Sequence, residues 1–412
     1  MNLTLLLDLD DTLLVNNIDD FLPAYLQAFA RFMEHAIPSN RFIQALLAGT
    51  ERMVKNRLPD CTLREVFEET FYPTSGLQPA EFERLAEHFY AEVFPSLRGL
   101  TRSNPAARQV VEQALERGYD LVIATDPLFP RSAIEQRLAW ANLPVEKYAF
   151  KLVPSYNTVH FSKSEPAYYA ELLASLGWPD GPILMVGDNP ERDIATAAKM
   201  GLATYWIIPN GRQTGSIVST AAGELGDLIP WIDRVQQQDL QPDFATPDAM
   251  LAILRATPAA LDSLCRGLAL STWNQHPEKD EWCLNEIVCH LRDVEAQVNL
   301  PRLQQLLEQV NPFMPGMDTD AWAVERNYHE QDGPAALRRF TASRLEMLDR
   351  LESLPPEAWS RLARHAIFGP TTLEELVGIT ASHDRLHLKQ VMQTLAAILP
   401  EKALQAPDSP VN

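Results

Sequence analysis

From Leu3 to Leu9 the chain is almost continuously apolar, a run of strand length closed by aspartates, as in the buried strands of a parallel sheet. From Ile18 to about Pro95 the period changes. In FLPAYLQAFARFMEH and EFERLAEHFYAEVF the apolar residues recur three and four apart, which predicts amphipathic helices uninterrupted by a strand. From Asn104 the two patterns alternate: PAARQVVEQALERG, YDLVIAT, RSAIEQRLAWANL, PAYYAELLASLG, PILMVG, ERDIATAAKMG and ATYWII read as helix, strand, helix, helix, strand, helix and strand. Such alternation predicts a Rossmann-like α/β fold, a doubly wound parallel sheet with helices on both faces.

The polar stretch VQQQDLQPDFATPD, Val235 to Asp248, holds two prolines and has no period, so it reads as a linker. After it no strand is predicted. Four long helical patterns follow, Pro247 to Leu268, Trp282 to Gln309, Pro334 to Leu354 and Leu373 to Leu399, and argue for an all-α four-helix bundle. The expected organisation is an α/β domain over 1–235, a linker over 236–246, the bundle over 247–400 and a loose tail over 401–412.

A length of 412 residues agrees with two domains, and 46% hydrophobic with 22% charged residues is ordinary for packed globular protein. The net charge of −20, with no Lys/Arg run longer than two, would repel a phosphate backbone, so nucleic acid is not an expected partner. No apolar run nears the roughly 20 residues of a membrane span, and none is expected. Four scattered cysteines, Cys61, Cys265, Cys283 and Cys289, suggest reduced thiols and a cytoplasmic home.

Chemistry concentrates where buried strands stop. Asp8 and Asp10 end the first strand and, by its period of two, are expected on one face. Thr125 follows LVIA, Asp188 follows ILMVG, and Asp193 lies one turn into the next helix. Open parallel sheets bind ligands at the carboxyl ends of their strands. Carboxylates gathered there repel unless a hard dication such as Mg2+ compensates. Lys163, in HFSKSEP, supplies a fixed positive charge suited to a phosphoryl group, and Lys151 is the weaker competitor for that role.

DLDDTL, Thr125, Lys163 in KSEP and GDNPERD at 187–193 together resemble the haloacid dehalogenase superfamily over residues 1–235. The resemblance implies an Mg2+-dependent phosphatase acting on a small phosphorylated metabolite. Asp8 would be the nucleophile that becomes an aspartyl-phosphate, and Asp10 the general acid and base. Thr125 and Lys163 would hold the phosphoryl oxygens, and Asp8, the Asp10 carbonyl, Asp188 and Asp193 the magnesium. Residues from about 15 to 97 would form an inserted helical cap, in which Arg52, Arg57 and Arg64 could meet an anionic substrate, although a solvated role is favoured for each. Asp10 argues against dehalogenation. Phosphonate cleavage would need Lys55, the only lysine of the cap, and mutase chemistry stays open.

In the bundle, His383 and His387 are four apart in ITASHDRLHLKQV and so share a helix face, while His290 lies in EIVCHLRDVE on the core-facing side of the second helix. Three imidazoles meeting inside a bundle suit one metal with a coordination position left open. TWNQHPEKDEWCLNEIVCHLRDVE and TLEELVGITASHDRLHLKQV resemble the DinB-like superfamily over about 245–400, which implies a ligand set of His290, His383 and His387. Zinc, nickel, iron or manganese would serve. The resemblance implies a metal-dependent thiol transferase or hydrolase; the alternative is a docking or dimerisation module with a metal-stabilised core, making a homodimer through the bundle. Asp293 and Asp384 read as solvated charges in preference to partners of the ligands, Cys289 as core, and His276, His329 and His365 as surface or loop residues.

Overall fold

The computed structural model describes residues 2–208 and 217–399, so the tail expected from Glu401 lies outside the described residues. Two compact units emerge. One is formed by the chain up to Tyr169 together with Pro179–Asp243, the other by Ala170–Trp178 together with the chain from Phe244 onward.

The first unit opens with β1 (Thr4–Leu7), buried at every residue, and β2 (Leu14–Asn16). The cap follows as α1 (Ile18–Met33), α2 (Ser39–Val54), α3 (Leu63–Ser75) and α4 (Pro79–His88), then a π turn Phe89–Val93 and a 3-10 turn Phe94–Leu100. The chain returns in β3 (Thr101–Ser103), then α5 (Ala107–Glu116), β4 (Asp120–Ile123), α6 (Arg131–Trp140), β5 (Phe150–Leu152) and α7 (Pro166–Ser175). It continues through β6 (Ile183–Gly187), a π turn Pro190–Ala195, α8 (Thr196–Lys199), β7 (Ala203–Ile207), β8 (Ala221–Gly223) and α9 (Leu228–Ile232).

The six-stranded sheet has the order β5-β4-β1-β6-β7-β8, and every pairing is parallel. From β1 the chain builds outward on one side through β4 and β5, then returns to build the other through β6, β7 and β8. The reversal falls at β1, where such sheets open a crevice at their carboxyl ends. Period-two alternation is absent from β1, β6 and β7 because both of their faces are covered.

The cap leaves and rejoins the sheet domain through the antiparallel pair of β2 and β3. Its core is aromatic: Phe29 stacks on Phe89 with centroids 3.9 Å apart, Phe42 meets Phe29 edge-on at 4.8 Å, and Phe71 and Phe82 continue the cluster. Local signals fix α3. Thr62 and Glu65 form a reciprocal capping box, and Gly76 ends the helix with φ +75°.

The second unit contains α10 (Pro247–Cys265), α11 (Leu270–Trp273), α12 (Leu284–Val294), a π turn Glu295–Asn299, α13 (Leu300–Glu308), α14 (Trp322–Glu325), α15 (Gly333–Glu352) and α16 (Leu373–Ile398). α10 packs on α15 and α16, and α12 packs on the same two helices, which makes the bundle. The long second helical pattern is thus α12 and α13 joined through a π turn. The absence of strands predicted here is overturned. β9 (Phe313–Met314), β10 (Leu362–His365) and β11 (Gly369–Thr372) form a small sheet, β10 parallel to β9 and antiparallel to β11. Strands of two to four residues are too short to show a period. Within the stretch expected to link the domains, Gln237–Leu240 forms a 3-10 turn whose Leu240 is fully buried.

At the centre of the bundle, Arg344 is fully buried between two acids. Its Nε donates to Glu295 Oε1 at 2.6 Å, its Nη2 to Asp384 Oδ1 at 3.2 Å, and its Nη1 to the Leu254 carbonyl at 2.9 Å. The solvated role expected for Asp384 is therefore wrong. Asp293 is also buried, held by Arg292 at 2.7 Å, Arg326 at 2.6 Å and the Tyr328 hydroxyl at 2.9 Å. Arg344 for Asp384 and Arg326 for Asp293 could not be matched from spacing alone, because each lies more than thirty residues from its acid. His365, expected at the surface, is 4% exposed in β10, where its Nδ1 accepts from the Ile367 amide at 3.2 Å.

Candidate active site and candidate metal centre

The ladder of the first unit places the acidic residues together. Leu7 pairs with Ile123 and Val186, so the residues after β1, β4 and β6 emerge side by side. The Asp8 amide donates to the Val186 carbonyl at 2.9 Å, and the Ala124 amide to the Leu7 carbonyl at 2.7 Å. Asp8, Asp188 and Asp193 bring carboxylate oxygens within 4.8 Å of one another. Asp193 reaches back from the π turn, and its Oδ2 accepts from the Asn189 amide at 2.9 Å. Gly187 leaves the room: a Cβ there would fall 2.1 Å from Asp193 Oδ2.

Lys163 closes the cluster. Its ammonium lies 2.5 Å from both Asp8 Oδ1 and Asp193 Oδ1, and it is 2% exposed. Burial works against its charge, but Asp193 and Asp8 more than offset it, so its pKa is raised. Lys151, the competing lysine, instead lies 3.5 Å from Asp120 with its side chain mostly in solvent. Burial first, and the charge of Asp193 next among the raising causes, push Asp8 up to about 7 despite Lys163. Burial followed by Asp8 and Asp193 pushes Asp188 up to about 8. One ammonium therefore undercompensates three acids. A hard, all-oxygen donor set short of positive charge fits Mg2+.

Thr125 is buried two residues past the end of β4, and its carbonyl accepts from the Tyr168 hydroxyl at 2.6 Å. Asp10 is engaged elsewhere than expected. Its Oδ1 pairs with Arg137 and accepts from Asn16 Nδ2 at 3.2 Å. The period-two argument does not reach it because the strand ends at Leu7. Asp11 has φ +54°, and the amides of Leu13 and Leu14 bond back to the Leu9 carbonyl. Sequence reasoning missed Arg137, 3% exposed in α6 with Phe21 and Phe129 rings each 5.5 Å away. It also missed Asp126, whose carboxylate accepts from the Lys163 amide at 3.2 Å and pairs with Arg192 at 2.9 Å. Adjacency to Thr125 was its only signal. In the cap, Arg64 is committed to Glu68 and Glu83, Arg57 lies 3.4 Å from Glu165, and Lys55 pairs with Glu51 on an exposed helix face.

In the second unit, α12 and α16 bring three imidazoles together. His383 Nε2 lies 3.1 Å from both His290 Nε2 and His387 Nε2, a spacing at which one ion could take all three lone pairs. Burial, with the neighbouring imidazoles next, lowers His290 and His383 to about 3, so both are neutral and available as ligands. His387 Nδ1 lies 2.9 Å from Gln390 Oε1, and the Trp282 ring stacks parallel to His387. Beside the triad is a cavity of about 160 Å3, lined mainly by apolar residues, among them Val298, Leu303, Met347 and Val377, with His383 at its wall. Cys289 is fully buried and is not a member of the triad.

Comparison with known proteins assigns each half. Residues 3–201 match the haloacid dehalogenase-like hydrolase family, and residues 253–391 the DinB superfamily. A phosphoserine phosphatase of Thermus thermophilus is 28% identical over 144 residues, 35% of this chain and 52% of that protein, so the match spans about half the length of the curated relative. Among solved structures, a HAD phosphatase from Thermococcus onnurineus shows 21% identity and a TM-score of 0.37, covering 56% of this chain and 98% of its own. A 2-haloacid dehalogenase from Pseudomonas syringae pv. Tomato shows 21% and 0.41 over 57% and 99%. YfiT from Bacillus subtilis, described as a probable metal-dependent hydrolase, shows 18% and 0.35 over 38% and 89%. The chain joins a haloacid dehalogenase-like hydrolase domain to a DinB-superfamily helical domain.

Proposed function

We propose that the first domain is an Mg2+-dependent phosphatase that hydrolyses a small phosphomonoester through an aspartyl-phosphate on Asp8. The carrying observation is the buried meeting of Asp8, Asp188 and Asp193 around Lys163 at the sheet's switch point. Asp8 and Asp188, with Asp193 and the Asp10 carbonyl, would hold the ion. When bound, Mg2+ supplies positive charge that keeps Asp8 ionised and neutralises the transferring phosphoryl group. An Asp8 carboxylate oxygen attacks phosphorus, and the bond to the leaving oxygen breaks as Asp10 gives it a proton. Asp10, then a carboxylate, takes a proton from the water that hydrolyses the aspartyl-phosphate. Lys163 and Thr125 hold the phosphoryl oxygens, and Asp126 fixes the Lys163 backbone. Arg137, paired with Asp10, positions the acid and base, and the cap shields the site from bulk water while admitting the one water that Asp10 activates.

Phosphoserine belongs in the substrate panel because a relative carries that name. The assay is hydrolysis of p-nitrophenyl phosphate with and without Mg2+, beside Asp8→Asn. Activity should need the metal and vanish in the variant; an unchanged rate in Asp8→Asn would sink the proposal.

For the helical domain we infer a divalent transition metal on His290, His383 and His387. Three nitrogen donors leave a position open, and the adjoining apolar cavity gives a substrate a place to lie, which favours a hydrolase or thiol transferase over docking. Elemental analysis should find a metal that His383→Ala loses. Among the described residues no helix is long and apolar enough to cross a membrane.

A further inference from the structure

Four side chains with metal-ligand chemistry meet at the amino end of α12, apart from both sites above. His276, Cys283, Glu286 and His329 each bring one donor atom within 4.8 Å of the others. They come from three segments: the loop after α11, the first turn of α12, and the 3-10 turn Tyr328–Glu330. Cys283 Sγ lies 3.7 Å from His329 Nδ1, and His276 Nδ1 lies 3.5 Å from Glu286 Oε2. The two imidazoles stack, with centroids 4.9 Å apart and planes 18° from parallel. We propose that this cluster is a second metal site of the helical domain, holding Zn2+ through one sulfur, one carboxylate oxygen and two ring nitrogens.

The donor set chooses the ion. Mg2+ and Ca2+ take oxygen ligands, whereas a thiolate with two imidazoles suits zinc, and four protein donors make a closed, structural site. The surrounding backbone is built to hold the donors in place. Asn285, 1% exposed, donates from Nδ2 to the carbonyls of Tyr328 at 3.4 Å, His329 at 3.2 Å and Gln331, tying the turn that carries His329 to the start of α12. Gly333 permits that approach, because a Cβ there would fall 2.0 Å from Asn285 Oδ1 and 2.4 Å from the Trp273 ring. His276 Nδ1 lies 2.7 Å from the Glu281 carbonyl oxygen, which orients its ring. His276 is exposed and neither Glu286 nor His329 is fully buried, so an ion has a way in.

Two plainer accounts fall short. Glu286 Oε2 accepts from the Cys283 amide at 2.9 Å as part of a capping box, but a helix cap needs neither imidazole. A nucleophilic Cys283 paired with His329 would need a sulfur accessible to substrate, whereas this one is fully buried. Cys283 and His290 are seven residues apart on α12, about 10 Å along its axis. A zinc at Cys283 would therefore brace the helix that presents His290 to the catalytic candidate.

Sulfur makes the site separable from the three-histidine one. Metal-depleted full-length protein reconstituted with Co2+ should show a thiolate-to-cobalt charge-transfer band in the near ultraviolet, which an all-imidazole site lacks. The band should survive His383→Ala and disappear in Cys283→Ser and in His329→Gln, the latter altering a less buried side chain and so guarding against misfolding. Elemental analysis should count one zinc fewer per chain in His329→Gln and one transition-metal ion of any kind fewer again on adding His383→Ala. A wild type without the band, or a band that persists in Cys283→Ser, would overturn the proposal.

Discussion

Removing divalent ions and raising pH should weaken the hydrolase domain, and the structure fixes the sign. Asp8 rises from an ordinary 3.8 to about 7 and Asp188 to about 8, so the folded domain holds protons that the unfolded chain has released. Stability from these groups is complete below about pH 4 and is lost as pH climbs through their folded values. For Asp8 alone the rise is worth on the order of 4 kcal/mol. The two carboxyls answer to shared neighbours, so the pair is worth less than twice that. Mg2+ should restore what pH removes, and its effect should be larger at pH 8 than at pH 5, where protons occupy its ligands. The helical domain should move oppositely. His290 and His383 fall from 6.5 to about 3, so their contribution is present above about pH 6.5 and is lost on acidification. Calorimetry of the full chain in chelator from pH 5 to 8 should therefore show two transitions with opposite slopes. The reasoning fails if the Mg2+-responsive transition stays flat or rises with pH, or if Asp188→Asn keeps the wild-type slope.

Gly187→Ala should cut phosphatase activity on the order of 100-fold, because the new Cβ displaces Asp193; kcat and the Mg2+ requirement would be read together. Arg344→Met should destabilise the helical domain by about 3–5 kcal/mol in urea titration, since Glu295 and Asp384 would be left buried without their cation. Phe29→Ala should remove about 3–5 kcal/mol from the cap core, seen as faster hydrogen exchange in α1 and α4 with the β1 and β6 amides unchanged.

The two-domain order, the parallel sheet, the helical insertion and the bundle were legible from periodicity, because period and length are properties of the chain itself. The short strands β9, β10 and β11 were not, since two to four residues carry no period. For the sites, Asp8, Thr125 and Asp188 were visible as polar residues that end apolar runs, and His383 with His387 as a helical pair. Their convergence, the pairing of Asp10 with Arg137, the buried Glu295–Arg344–Asp384 triad and the meeting of His276 and His329 over Cys283 belong to the tertiary structure. The sequence determined which residue types stand at each element's end. Which of those ends touch was decided by packing, because a contact between residues a hundred positions apart depends on how whole strands and helices dock, and local spacing carries no record of that.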